Sequence, residues 1–541
     1  MAIKRWTPRT EPTKAELRIL KRLTRVRKLF AFLRLHRHEI IDAAFQDELC
    51  EMYRDTGAGE EPLPPGMMCM ATLLQGYVRA SDAEAVELTV MDARWQLVLD
   101  CLGALDPAFS QGALKNFRDR LIAHDMDRRL LEKTREVAKR TGAFDWKKLP
   151  KDLRIGMDSR PLVGAGRVED TFNLLGHAAK KLLKGAAELT GRSQESICRA
   201  AGIRLLLAPS IKAGLDINWS DREQKAEAID RLAQEVDALV EWIETKQPEL
   251  ATEAAIEPYI EAIHEVEEQD LEQADDGKMQ IRTGVAKDRR VSIEDPEMRH
   301  GRKSKSKRFN GYKEHLAADL TTGLILGCAL TPANVPEEEA ASALKDDIDR
   351  QGASIGDLLI DRGYLNADAV NDIEEEGGTI VCKPWPVRNN RGDLFDKTDF
   401  VINARDKTIT CPAGEVENFD WGETVEFDPD ACGSCSLRAE CTHAASGSGR
   451  SVRIAEDERR QKRLRTLQTS KSGRRRLRER TGIEHRLAHI AQRKGPRARY
   501  RGTRKNLYDL RRASAIQNLE TIHRASTAAA AAESPRRKAA A

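Results

Sequence analysis

Apolar and polar positions along this chain change period several times, and each change marks a different kind of element. Between residues 14 and 145 the apolar positions recur at helical spacing. KAELRILKRLTRVRKLFAFLRLHRHEIIDAAFQDELCEMY is one such run, LPPG at 63–66 interrupts it, and MMCMATLLQGYVRA follows. Ser81 stands three residues ahead of Glu84, the spacing of a capping box for a helix through Leu88. ALKNFRDRLIAHDMDRRLLEKTREVAKRTG then reads as one or two basic amphipathic helices ending at Gly142. Strand signals are absent, so residues 1–145 are expected to form an all-helical N-terminal domain, suited to binding DNA or to holding two protomers together.

The period changes at LRIGMDSRPLVGAGRVEDTFN, residues 153–173. Leu153, Ile155 and Met157 alternate as a strand does, and Asp158 breaks the run where that strand is expected to end. A long helical stretch interrupts next. Ile229, Leu232, Val236, Leu239 and Ile243 alternate in spacings of three and four, the seam of a short coiled coil or helical hairpin, which Pro248 and Pro258 limit. Strands resume with GYKEHLAADL, a TTG turn and LILGCAL, an antiparallel hairpin. A helix (EEEAASALKDDIDRQG), a buried strand ending at Asp361 (DLLIDRGYLN), another helix and the strand TIVCKP complete the order. Three antiparallel strands followed by a parallel pair make a mixed α/β core over 150–178 and 290–386, with residues 179–289 as a helical insertion.

Charge sharpens this division. The formal net charge is only +3, yet Glu223 to Asp276 holds eighteen acids against three bases. Arg459 to Arg512 holds twenty-one bases against three acids. Such separation points the basic segment at a polyanion, DNA or RNA, while a single charge run is equally consistent with a solvated helix face. RRQKRLR and SGRRRLRER lack aromatics and suit phosphate contact, and HGRKSKSKR at 300–308 is a second candidate. No run reaches the length of a membrane span and the start lacks a secretory h-region, so a reducing cytoplasm is expected.

Within that frame three acids and four cysteines are candidates for chemistry. Asp158 and Asp361 each end an apolar strand; either alone is most simply a cap of the next turn, but two on neighbouring strands would repel unless a cation held them. Glu484 is the one acid between Arg480 and Asn506, on a helix with Ile483, Leu487 and Ile490 as its apolar face, and taken alone reads as a salt-bridge partner. Cys411, Cys432, Cys435 and Cys441 give C-x20-C-x2-C-x5-C, a pattern that fits a structural zinc site in a reducing compartment, with His443 as a substitute ligand. They define a Cys-rich insertion over 387–455. The other six cysteines read as core residues.

Several blocks together resemble the DDE transposases of bacterial insertion sequences, the group numbered eleven-eighty-two. DSRPLVGAGRVEDTFNLL resembles its first-aspartate motif, GYKEHLAADLTTGLI with TPANVPE its central hairpin, and LLIDRGYLN its second-aspartate motif. Arg480 to Glu484 with YRGTRKN and a following NL resembles the third-acid helix, and PPGMMCMATLLQGYVRASDAEAVE the helical N-terminal domain. The related signature Y-x2-R-x3-E-x6-K would put Tyr and Lys where this chain has Leu477 and Ala491.

The resemblance implies a ribonuclease H-like core with Asp158, Asp361 and Glu484 holding two Mg²⁺ or Mn²⁺ ions. It also implies DNA cleavage at element ends with strand transfer, and a homodimer or larger oligomer in the bacterial cytoplasm at the nucleoid. The basic segment 456–525 would complete the core, and the alanine-rich 526–541 is expected to be disordered. Arg160, Arg362, Arg480 and Lys505 are candidate phosphate contacts, with Lys494 as a substitute for the signature lysine. Two other readings stay open: a non-catalytic or decayed DNA-binding protein, and a nuclease of the same core that does not join strands.

Overall fold

The computed structural model describes residues 3–23, 27–53, 61–304, 306–387 and 394–539. Its centre is a mixed six-stranded sheet of β1 (Leu153–Val163), β2 (Arg299–Arg302), β3 (Arg308–Asp319), β4 (Ile325–Pro332), β5 (Ile355–Leu359) and β6 (Thr379–Val381). The order across the sheet is β2-β3-β1-β5-β6, with β4 sharing the outer edge of β3 with β2. β1, β3 and β4 pair antiparallel; β1, β5 and β6 pair parallel. The expected order of a hairpin followed by a parallel pair is thus present, with β2 as an added edge strand just before the hairpin.

One expected strand boundary moved. β1 does not end at Asp158 but runs on to Val163, because β3 keeps pairing with it from Asp319 through Gly311. On its other side the parallel partner stops at the pair Gly156–Leu359. Asp158 therefore lies inside a strand, two residues past the point where one of its edges opens.

Of the helices, α1 (Pro65–Val78) and α2 (Met126–Arg140) belong to the all-helical N-terminal region, where the Ser81–Glu84 capping box is present in full. α3 (Thr171–Thr190), α4 (Arg222–Lys246) and α5 (Glu257–Asp270) form the insertion. The seam residues Ile229, Leu232, Val236, Leu239 and Ile243 are buried in a separate core with Leu174, Leu182 and Ile263. α6 (Ala341–Asp349) and α7 (Asp368–Glu375) follow β4 and β5, α6 packing on β4. The basic segment is three helices, α8 (Glu458–Thr469), α9 (Lys471–Glu479) and α10 (Thr481–Lys494), followed by α11 (Thr503–Ala539). α11 carries helix through the alanine-rich stretch to Ala539, where disorder was expected; alanine has the highest helix propensity, and the helix upstream is already nucleated.

α11 packs against α1, α2 and β4 together. Apolar residues of the N-terminal helices, the sheet and α11 accordingly form one continuous core, running from Phe30 and Trp95 through Ile155 and Leu316 to Ile516 and Ile522. The Cys-rich region stands apart around Phe400, Ile409, Phe419, Phe427 and Ile454, between a three-stranded and a two-stranded sheet.

Candidate active site

Two features of the sheet bring the acids together. The register places Gly156 beside Leu359, so Asp158 and Asp361 each lie two residues beyond the last position at which β1 and β5 pair. Both stand at the opening between these two strands. Gly156 and Asp158 also share one face of β1, and a β-carbon on Gly156 would stand 3.0 Å from Ile483 Cβ. The missing side chain lets α10 lie close on the sheet, with Ile483, Leu487 and Ile490 buried beneath it. Glu484, next to Ile483, is thereby carried to the edge of the opening.

Arg480 joins two of the acids. Its Nη1 donates to Asp158 Oδ2 at 3.1 Å and its Nη2 to Glu484 Oε1 at 2.6 Å. Asp158 Oδ1 accepts from the Ser159 amide at 2.8 Å, and Asp361 Oδ1 accepts from the Gly363 amide at 2.9 Å. Asp361 thus does cap the short 3-10 turn Arg362–Tyr364. That role leaves its second oxygen uncommitted to the turn. Burial pushes the Asp158 carboxyl up to about 6; Arg480 and the Ser159 amide pull it down, while the charges of Asp361 and Glu484 raise it further.

A neutral layer supports this cluster. His315 Nδ1 is 2.6 Å from the Tyr364 hydroxyl and its Nε2 3.0 Å from Thr331 Oγ1. Burial, with the neighbouring Lys313 charge, lowers His315 to about 3, so it is an uncharged imidazole. Burial and the charges of Glu337, Asp158 and Asp361 hold the Tyr364 phenol protonated.

The candidate phosphate contacts divide. Arg480 faces the acids. Arg362 donates from Nε to the Pro384 carbonyl at 2.7 Å. Arg160 is buried, its Nε 2.5 Å from Glu314 Oε2 and its Nη2 3.2 Å from the Gly495 carbonyl, so its charge is committed inside the protein. Lys494 is committed in the same way, 2.6 Å from Glu314 Oε1 and 3.1 Å from Asp509 Oδ2. Neither reaches the opening. Lys505 is exposed in the first turn of α11, and Arg474, Arg475 and Arg478 are exposed on α9, leading up to Arg480.

Among the described residues, no group of three or more His, Cys, Asp or Glu side chains is placed to hold a metal ion. Neither the four cysteines expected to hold zinc nor the three acids form such a group. Cys411, Cys432, Cys435 and Cys441 do line one cavity, with Phe427, Pro412 and Leu437 in its walls, but they surround that apolar space without forming a ligand set. Burial raises the Cys441 thiol, which keeps it a neutral thiol. At the acids, a guanidinium stands where the carboxylates would share a cation.

Sequence reasoning missed Glu337, whose carboxylate accepts from Ser159 Oγ beside Asp158. The signal was weak: Glu337 is the first of three consecutive glutamates after Pro336, and periodicity does not tell them apart. His315 and Tyr364 lie in stretches whose period does not single them out.

The acidic opening in the mixed sheet is thus flanked by a basic helix. Residues 283–519 match the family model of the transposase DDE domain. The chain carries the DDE domain of an insertion-sequence transposase, and DNA is the partner that this family implies. The match takes in Asp361 and Glu484 and begins after Asp158, which the helical insertion separates from the rest of the core. No curated protein and no solved structure matches the chain. Among the described residues no helix is long and apolar enough to cross a membrane.

Proposed function

We propose that this chain cleaves DNA at the ends of an insertion sequence of the eleven-eighty-two group and transfers the freed 3′ ends into target DNA, with Asp158, Asp361 and Glu484 as the catalytic acids. The observation that supports it most is their convergence, from positions some two hundred and three hundred residues apart, at one opening of a sheet whose strand order fits a ribonuclease H-like core.

The donor set fits a hard divalent cation in kind. It consists of carboxylate oxygens, and the Arg480 guanidinium bridging Asp158 and Glu484 is a cation already standing between two of them. When bound, Mg²⁺ or Mn²⁺ ions would activate the attacking hydroxyl and stabilise the leaving oxygen. The chain's own residues do the rest. Ser159 and Gly363 amides fix the rotamers of the two aspartates, His315 and Tyr364 keep the floor neutral, and Arg480 balances the acids and presents a bidentate fork to a phosphate. Exposed Arg474, Arg475 and Arg478 continue that positive surface along α9.

The test is cleavage and joining of duplexes carrying the element ends in Mg²⁺. Asp158→Ala and Asp361→Ala are expected to abolish cleavage while leaving DNA binding in place. Unchanged cleavage by either variant would sink the assignment. Cleavage without joining would make the protein a nuclease, and binding alone would make it a DNA-binding protein. Sedimentation of the DNA complex is expected to give a dimer or larger assembly.

A further inference from the structure

The end of α10 far from the acids opens on two adjoining clefts. One, of about 460 Å³, is lined by Arg27, Arg79, Arg493 and Arg524 around Tyr77. The other, of about 340 Å³, shares Arg79 and Arg493 and adds Arg497 and Arg499. The N-terminal helical region supplies Arg27 and Arg79, and α10, α11 and the loop between them supply the rest. One carboxylate of the first cleft, Glu520, is taken by Arg493. In the second, Asp509 is spent on Lys494 and Arg512.

The remaining guanidiniums have neutral partners. Arg27 lies over the Tyr77 ring, 5.5 Å from its centre. Arg79 donates from Nη2 to the Lys494 carbonyl at 3.0 Å, and Arg524 from Nε to the Glu520 carbonyl at 3.3 Å. Among the described residues, none of these three forms an ion pair. The excess of positive charge is felt inside the cleft: burial, with the charges of Arg486 and Arg524, lowers His489 even though Glu520 stands nearby. Two of the arginines also occupy backbone that disfavours them. Arg27 has φ 56° and Arg79 φ 64°, both left-handed, and at the C-cap of α1 a glycine would take that conformation without strain. Guanidiniums held together on strained backbone, against their mutual repulsion, make a site for an anion.

α10 joins the clefts to the acids. Glu484 and Arg493 are nine residues apart on it, about 13 Å at the helical rise, which is the length of about four base pairs of duplex. We infer that the two clefts are a docking track for the DNA backbone, taking successive phosphates about four base pairs from the bond that is cut. The seam between the N-terminal helices and the basic segment is then itself part of the DNA site. The inference rests on DNA as the partner and on the acids as the place of cutting, and it deepens that reading.

Fluorescence anisotropy of a labelled duplex of mixed sequence, about 30 base pairs long, titrated with the full chain over a range of salt concentrations, tests the track without any cleavage. Arg79→Gly removes one guanidinium and suits the left-handed backbone, so its melting temperature should hold. Arg524→Gln changes an exposed side chain and carries the test if the first variant does not fold. Each is expected to lower the slope of log affinity against log salt by about 0.9, the loss of one phosphate contact. Glu520→Gln frees Arg493 and is expected to tighten binding with a steeper slope, a gain that damage to the fold would not give. If both arginine variants keep the parent's slope, the clefts hold no phosphate and the inference is overturned; a lower slope in Arg475→Ala alone would put the DNA on α9 instead. If the parent chain does not bind the duplex, the DNA reading itself falls and takes this inference with it.

Discussion

Asp158 is held in a conflict that serves it badly as a structural residue. A carboxyl raised to about 6 by burial stands above its unfolded value of about 3.9, so the folded chain binds that proton more tightly than the unfolded one. Stability from this group is therefore greatest below about pH 4 and declines as pH rises through about 6. Activity should run the opposite way, because only the ionised carboxylate can hold a cation. At limiting Mg²⁺ the cleavage rate is expected to climb with a midpoint near pH 6, and saturating Mg²⁺ should move that midpoint down; a flat profile from pH 5 to 8 would contradict it. Asp158→Asn should reduce cleavage by at least about a hundredfold and yet raise the melting temperature at pH 8. Glu337 shows what the residue scale hides from a sequence. Glu337, Glu338 and Glu339 are one letter repeated, and only the Ser159 hydroxyl and the bare Gly363 backbone single out the first.

At the scale of elements, the geometry of the opening depends on where the pairing of β1 with β5 ends and on one helix lying low. The alternation around Ile155 and Met157 made β1 legible, and the hairpin of β3 and β4 was legible from its turn. The end of β1 was not, because a strand stops where its partners stop, and pairing with β3 is not written in the period of β1 itself. The approach of α10 was equally hidden: Ile483, Leu487 and Ile490 announce a buried face, but only Gly156 sets how near that face comes. Gly156→Val should therefore act on the site without touching an acid. It is expected to destabilise the fold by about 1–3 kcal/mol in urea denaturation and to lower cleavage in the folded fraction, since Glu484 and Arg480 are pushed outward. Full cleavage with unchanged stability would show that α10 has room to spare. The cysteine cluster was legible only in part, for a related reason. Spacing gathers four thiols around one cavity but does not aim them at one point.

Across the whole molecule, buried charge ties the site to its scaffold. Glu314 on β3 accepts from Arg160 of β1 and Lys494 of α10, Lys494 also meets Asp509 of α11, and Asp509 pairs with Arg512, which reaches Gln75 of α1. Five elements meet through this network. Glu314→Ala strands two buried cations and is expected to cost about 3–5 kcal/mol in chemical denaturation; a loss under 1 kcal/mol would mean that water reaches the cluster. A second tie is Asn518 of α11, whose side chain serves both the amide and the carbonyl of Ile325 and also Thr134 of α2. Asn518→Ala leaves those groups unpaired, and about 1–3 kcal/mol should be lost for each that water cannot reach, read from the urea midpoint. The separated charge of the chain was visible in its composition; that part of the basic segment is spent inside was not, because Lys494, Arg511 and Arg512 look the same in sequence as the exposed arginines of α9.

α11 is also the last described element to leave the ribosome, and three partners wait for it. Until it arrives, α1 and α2 have no long helix to cover them, β4 lacks the Asn518 clasp, and Lys494 lacks Asp509. A nascent chain stopped before residue 503 would expose sticky helices to chaperones and would hold its acids without the buried ties that fix α10. The order of synthesis thus withholds the buried ties of α10 until α11 has been made.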